Sequence, residues 1–136
     1  MERGSKKMTT DILQAFQDGQ IYSNSHNENA KDLPWHDHPT FPGVSLKHLI
    51  TAKDSEGKFS SHLVRVKRGC EIGEHIHEGK WELHEVFDGQ GTCLINGKKI
   101  EYVKGVAAVI PSDIPHVVQS TECDLFIMAK FIPALL

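Results

Sequence analysis

The sequence predicts an all-β domain, an antiparallel sandwich or barrel with one short helix at its N-terminus. Three observations carry that expectation. Short stretches rich in Val, Ile, Phe and Thr recur at even spacing from Val44 to Ile132, with turn residues between them. Within them side chains sort onto two faces at the strand period of two, as His62, Val64 and Val66 do. Asn96-Gly97, flanked by two such runs, is a strong two-residue hairpin signal. The 136 residues suffice for one domain with one sizeable core. We assign residues 9–136 to that domain, and residues 1–8 to a disordered or added extension, with Met8 as the native start.

Taken in order, Thr9 to Gly19 reads as the helix. Thr9 or Thr10 would cap it, Ile12, Leu13 and Phe16 give it an apolar stripe, and Gly19 would end it. Ser23 to Asp32 is polar and reads as loop. Leu33 to Pro39 holds two prolines, so it is extended or turning, and Phe41-Pro-Gly43 is a turn. Val44 to Thr51 and Phe59 to Lys67 are strands joined by a hairpin turn at Asp54 to Gly57. Trp81 to Phe87 is the next strand, broken or bulged at Gly89 to Gly91. Thr92 to Ile95 and Lys98 to Val103 flank the Asn96-Gly97 turn. Val106 to Ile110, His116 to Gln119 and Asp124 to Ile132 complete the set, with a turn at Pro111 to Pro115.

Composition excludes several function classes. The chain is 39% hydrophobic and 24% charged, with a net charge of −3. No basic stripe argues for nucleic acid. No apolar run approaches the length of a membrane span. Met1 to Lys7 is polar and basic, without the apolar stretch of a secretory signal, so a cytoplasmic protein is expected. Cys70, Cys93 and Cys123 are odd in number and unpatterned, which suits reduced thiols better than a disulfide frame.

The chemistry concentrates in the second half. One stretch runs from Gly69 through Glu-His75-Ile-His77-Glu-Gly-Lys-Trp-Glu82 to Gly89; a second runs from Gly105 through Pro111-Ser-Asp113-Ile-Pro-His116. Three imidazoles and a carboxylate suit a borderline or hard divalent transition ion. His75 and His77 are two apart and would project together from a strand, with Glu82 following on the next strand.

At these residues the chain resembles the cupin superfamily. That family's first motif is Gly, five residues, His-x-His, three or four residues, Glu, six residues, Gly; Gly69, His75, His77, Glu82 and Gly89 fall in those places. Its second motif is Gly, five residues, Pro-x-Gly, two residues, His, three residues, Asn; Gly105, Pro111 and His116 match. Asp113 stands where the family often has Gly, and Ser120 where it often has Asn. Asp tolerates left-handed backbone better than most residues, and neither departure removes a ligand. The resemblance implies a double-stranded β-helix, the jelly-roll barrel, holding one divalent ion per chain on His75, His77, Glu82 and His116. Fe, Mn, Ni, Co and Zn all remain open. It also implies a homodimer, for which apolar strands including Phe126 to Ile132 would leave an edge to cover. A shorter stretch, Trp35 to Leu49, is similar to the first strand of anti-sigma-factor-type cupin domains and would imply a zinc-binding, ligand-sensing relative.

Four protein ligands leave one or two positions open on a five- or six-coordinate ion, the condition for catalysis. His84 shares a strand face with Glu82 and is the candidate catalytic base, proton shuttle or substrate contact. The expected function is a metalloenzyme acting on a small organic substrate, dioxygenase-like or isomerase- or decarboxylase-like. The alternative is a non-catalytic module that binds or senses a small ligand. For His48 and His62 two readings stand, cavity lining or hydrogen-bonded strand histidines, the second being simpler. A further metal site at His36 and His38 is the less economical reading of that loop, and His26 reads as solvated. Trp35 and Trp81 read as core or interface anchors, Cys70 as a small buried hydrophobe, and Arg65 as a solvated surface charge.

Overall fold

The computed structural model describes residues 11–24 and 26–136. The chain forms helix α1 (Ile12–Asp18), strands β1 (Gln20–Tyr22) and β2 (Asn27–Asn29), a 3-10 turn (Ala30–Asp32), β3 (His36–Asp37) and β4 (Val44–Ile50). A one-turn helix α2 (Ala52–Ser55) leads to β5 (Ser60–Val66), β6 (Glu71–His75), β7 (Trp81–Asp88), β8 (Gln90–Ile95) and β9 (Lys98–Val103). β10 (Ala107–Ile110), β11 (His116–Ser120) and β12 (Leu125–Ile132) follow. Two antiparallel sheets build the barrel, in the orders β10-β7-β12-β5-β4-β3 and β6-β11-β8-β9, and β1 pairs β2 in a small ribbon. This is the expected jelly roll, preceded by the short helix.

The two faces of the larger sheet bury different cores. The inner face supplies Val64, Val66, Val86, Ile127, Ala129 and Phe131, which meet Cys93, Tyr102 and Val118 from the smaller sheet. The outer face buries Leu49, Leu63 and Met128 under Leu13 of α1 and Ala30. A fully buried Leu, Ile or Val contributes about 1.5–3 kcal/mol each, so the inner cluster dominates the fold's stability. Lys47 is also covered on the outer face, where its ammonium donates to the Ala30 carbonyl at 2.7 Å.

Several expectations need correction. Asp11 caps α1, its carboxylate accepting from the Gln14 amide; Thr9 and Thr10 lie outside the described residues. Of the predicted stripe only Leu13 is buried, because two helical turns offer the sheet one contact row. The supposed loop at Ser23 to Asp32 contains β2 and the 3-10 turn, which Asn29 caps through its side chain. Asp54 to Gly57 is not a simple hairpin turn. A Thr51–Asp54 capping box winds α2 first, and Glu56 and Gly57 then reverse the chain at positive φ. β12 has no free edge, since β5 and β7 pair with it on both sides. Trp81 is half-exposed and belongs to neither core.

The Asn96-Gly97 hairpin has both residues at positive φ, as a type I′ turn needs. The motif glycines Gly69, Gly89 and Gly105 also take positive φ. Gly89 is the most constrained of them: a Cβ there would lie 1.9 Å from the Asp124 carbonyl oxygen.

Candidate metal centre

Four elements bring the predicted ligands to one point. β6 ends at His75, and His77 lies in the loop just beyond it. The pair is therefore carried off a strand end, and not along a strand as the two-residue spacing suggests. β7 supplies Glu82 next to its start, and β11 opens with His116. The register places His116 directly opposite His75. One ligand atom from each of His75, His77, Glu82 and His116 falls within 4.8 Å of all the others.

Each side chain is held for that arrangement. The Nδ1–H of His75 donates to the Gly73 carbonyl at 2.7 Å, and that of His116 to the Ile114 carbonyl at 3.0 Å. Fixing the proton on Nδ1 leaves the Nε2 lone pair free on both rings. Glu82 Oε2 accepts from His84 Nε2 at 2.6 Å, which leaves Oε1 to face His116 Nε2 at 3.2 Å and His77 Nε2 at 3.6 Å. Oε1 of Glu82 and Nε2 of His116 are both buried, and neither has a hydrogen-bond partner. Such orphaned atoms are costly unless something satisfies them.

The protonation states fit a cation. Burial pushes the His75 pKa down to about 4, and it also lowers that of His77. Both rings are therefore neutral at pH 7. Burial alone would raise the Glu82 pKa, but the charge and hydrogen bond of His84 and the nearby His116 ring outweigh it, and the carboxyl sits well below the usual range. Neutral rings at His75 and His77 and an ionised Glu82 can take up a divalent ion without first losing protons.

His84 lies behind this centre. It is buried, and both ring nitrogens are engaged, Nε2 with Glu82 and Nδ1 with the Tyr102 hydroxyl at 2.8 Å. Burial works against a proton on His84, yet the Glu82 carboxylate and the neighbouring Cys93 hold its pKa up to about 9. Sequence reasoning missed Tyr102 as the partner of His84. A signal existed in the strand period of β9, which puts Ile100 and Tyr102 on one face, with Ile100 opposite the buried Cys93.

The remaining histidines sort by contact. His48 and His62 hydrogen-bond through their Nδ1 atoms at 2.8 Å, and His62 Nε2 meets Ser60 Oγ at 2.8 Å. His36 stacks on His48 with ring centroids 5.1 Å apart. His38 Nδ1 instead accepts from the amides of Thr40 and Phe41, closing the turn before β4. Histidines 36 and 38 are thus engaged separately. His26 is half-buried, 3.4 Å from Glu28 and 3.5 Å from Asp54.

The comparisons with known proteins agree with this architecture. A family model described as Cupin domain matches residues 62–126. The oxalate-binding protein of Thermotoga maritima is 26% identical over 91 residues, spanning 65% of this chain and 75% of that protein. A predicted oxalate decarboxylase of known structure, also from Thermotoga maritima, has a TM-score of 0.69 at 23% identity, covering 76% of this chain and 95% of that one. KdgF from Halomonas sp. gives 0.68 at 23% identity, covering 85% and 94%. An RmlC-like cupin from Shewanella frigidimarina gives 0.69 at 15% identity, covering 85% and 95%.

Proposed function

Because the chain belongs to the cupin superfamily, we propose that it is a metal-binding cupin whose centre takes a small, chelating organic anion as substrate. His75, His77, Glu82 and His116 would hold one divalent transition ion, with Fe, Mn, Ni, Co and Zn all compatible with the donor set. One observation carries the reading. Glu82 Oε1 and His116 Nε2 are buried, unpartnered and turned toward the same point as the two half-buried histidines. A bound ion supplies Lewis-acid polarisation of a coordinated carboxylate or carbonyl, and iron adds redox chemistry.

The chain's own residues do the positioning. Gly73 and Ile114 fix the tautomers of His75 and His116. His84 holds one Glu82 oxygen, so the carboxylate offers the other, and Tyr102 anchors His84 in turn. Three neutral ligands and one carboxylate leave a divalent centre at about +1, which favours an anionic substrate. A small dicarboxylate such as the oxalate named for the Thermotoga maritima relative is the simplest member of that class. On this reading the chemistry is decarboxylase-, isomerase- or dioxygenase-like, according to the metal.

A second reading is favoured by the burial of His84. With both nitrogens engaged, it offers no free acid or base to a ligand in the centre. A cupin that binds its anion without turnover would need none. The same proposal takes residues 9–136 as one domain, in a cytoplasmic protein consistent with free thiols at Cys70, Cys93 and Cys123. It also takes the chain as a homodimer, for which the cross-strand pair Trp81 and Ile132, both half-exposed, offers apolar surface. Among the described residues no helix is long and apolar enough to cross a membrane.

The test is elemental analysis of protein purified without added metal or chelator, beside His116→Ala. Near-stoichiometric metal in the parent, lost in the variant, is the expected result. Oxalate and related anions are then offered to the loaded protein. Consumption assigns an enzyme, and tight recovery of unchanged anion assigns a binding module. Absence of metal before and after reconstitution overturns both readings, and sedimentation showing only monomer removes the dimer.

A further inference from the structure

A second concave site lies outside the barrel core, where β3, β4 and β5 meet the turn at Thr40 to Gly43. It encloses about 350 Å³ and is lined by Asp37, His38, Phe41, Ser45, Arg65 and Lys67, among others. Two of its polar groups lack partners. Ser45 is 3% exposed, and its hydroxyl makes no hydrogen bond. Arg65 Nε is buried and equally unpartnered. The two residues are direct cross-strand neighbours, so both unmet donors open on the same side of the sheet.

The chemistry of the lining selects a sign. Among the described residues no carboxylate comes within ion-pair distance of the Arg65 guanidinium, although Asp37 lines the same cavity. Arg65 and Lys67 bring two positive charges against that one negative. The guanidinium lies 5.6 Å from the Trp35 ring centroid, within cation–π reach. His38 accepts two amide hydrogen bonds at Nδ1, so a neutral ring carries its proton on Nε2 and is a donor there. Donors without acceptors, net positive charge and a guanidinium fork match an oxyanion, which Arg reads through paired N–H bonds. The volume suits a small organic molecule, and Phe41 and Pro42 offer it an apolar wall.

We propose that Ser45, Arg65 and Lys67 form a second binding site, separate from the metal centre, for a small organic anion bearing a carboxylate or phosphate head group. Arg65 and Ser45 hold the head group, and Lys67 adds charge at the mouth. Asp37 sets a limit on the ligand, excluding a second negative charge placed beside it. The site needs no metal and stands or falls independently of the reading above.

Trp35 supplies the readout, since it lies against Arg65. Trp81, the chain's other tryptophan, is replaced by Phe so that emission reports Trp35 alone. This protein is titrated with inorganic phosphate, with acetate and with chloride at matched ionic strength. We expect a saturable change with phosphate, with acetate or with both, and none with chloride. Arg65→Gln should weaken the response by about tenfold or more, the scale of a charge-assisted hydrogen bond. Ser45→Ala should weaken it several-fold, and His116→Ala should leave it unchanged. Phosphate responding alone assigns a phosphorylated ligand; acetate responding assigns a carboxylate. The proposal is overturned by a response that chloride reproduces, by one that survives Arg65→Gln, by one lost in His116→Ala, or by no saturable change. If Arg65→Gln melts far below the parent, Ser45→Ala and Arg65→Lys decide the matter, and an unchanged affinity in both is equally fatal.

Discussion

Asp113 joins two ligand-bearing segments: its carboxylate accepts from the Gly79 amide at 3.2 Å, while its own amide donates to the His77 carbonyl at 3.3 Å. The turn that delivers His116 is thereby tied to the loop that carries His77. Asp113 also adopts φ +64, where the resembled family often has Gly. Asp113→Gly removes the carboxylate half of the tie and keeps the backbone amide bond and conformation, so metal affinity should fall several-fold with little change in melting temperature. Asp113→Ala should add a conformational penalty of about 1 kcal/mol. Metal competition with a fluorescent chelator and thermal melts would separate the two effects, and equal metal affinity in all three proteins would refute the tie.

On the proposed reading His84 would act on the metal only through Glu82, whose Oε2 it holds. Replacing it with Leu leaves Glu82 Oε2 and the Tyr102 hydroxyl without their partner. The expected consequence is metal affinity weaker by about ten- to a hundredfold, the usual effect of losing a group that orients a ligand. His84→Gln, which can still donate to the carboxylate, should recover part of it. Wild-type affinity in His84→Leu would show that Glu82 needs no such support.

Metal removal should cost stability, because a bound cation would satisfy the buried Glu82 Oε1 and His116 Nε2, which have no hydrogen-bond partner. At an ion concentration of 100 times the dissociation constant, binding adds about 2.7 kcal/mol to the folded state. Excess EDTA should therefore lower the melting temperature of the metal-loaded parent and leave that of His116→Ala unmoved. An identical EDTA shift in the two would mean that the stabilising ion sits elsewhere.

His62 gives the pH dependence a sign. Burial and the neighbouring His48 lower its folded pKa to about 4, below the ordinary histidine value of 6.5. The unfolded chain then binds the proton more readily between those values, so this contribution is complete above pH 6.5 and is lost as pH falls toward 4. A shift of that size corresponds to about 3 kcal/mol at most. Urea unfolding at pH 7 and pH 5 should show a smaller acid loss in His62→Gln than in the parent. An equal loss would assign the acid sensitivity to other groups.

Gly89 tests the corner between β7 and β8. A methyl group there would overlap the Asp124 carbonyl, and the residue sits at φ +89. Gly89→Ala should lower stability by about 3 kcal/mol or more, through clash and left-handed strain together. A urea midpoint within error of the parent would contradict the close approach. Gly97, whose Cβ would meet nothing within 4 Å, is the control: Gly97→Ala bears the strain of its φ of +83 alone.

By itself the sequence determined most of the barrel's strands, the Asn96-Gly97 hairpin and the identity of the four clustered side chains. These are local matters. Strand period, turn chemistry and motif spacing act over a few residues, and they are written where they act. The small ribbon of β1 and β2 escaped notice because three-residue strands carry too little pattern, and α2 because a capping box competes with a hairpin turn over the same residues. Only the tertiary structure decided that His77 stands beyond its strand, that Tyr102 backs His84, that Asp113 ties two loops, and that Ser45 and Arg65 lie together without partners. Each depends on which distant strands become neighbours and on what their side chains then lack. Pairing across the barrel joins residues tens of positions apart, and no local pattern encodes the outcome of that packing.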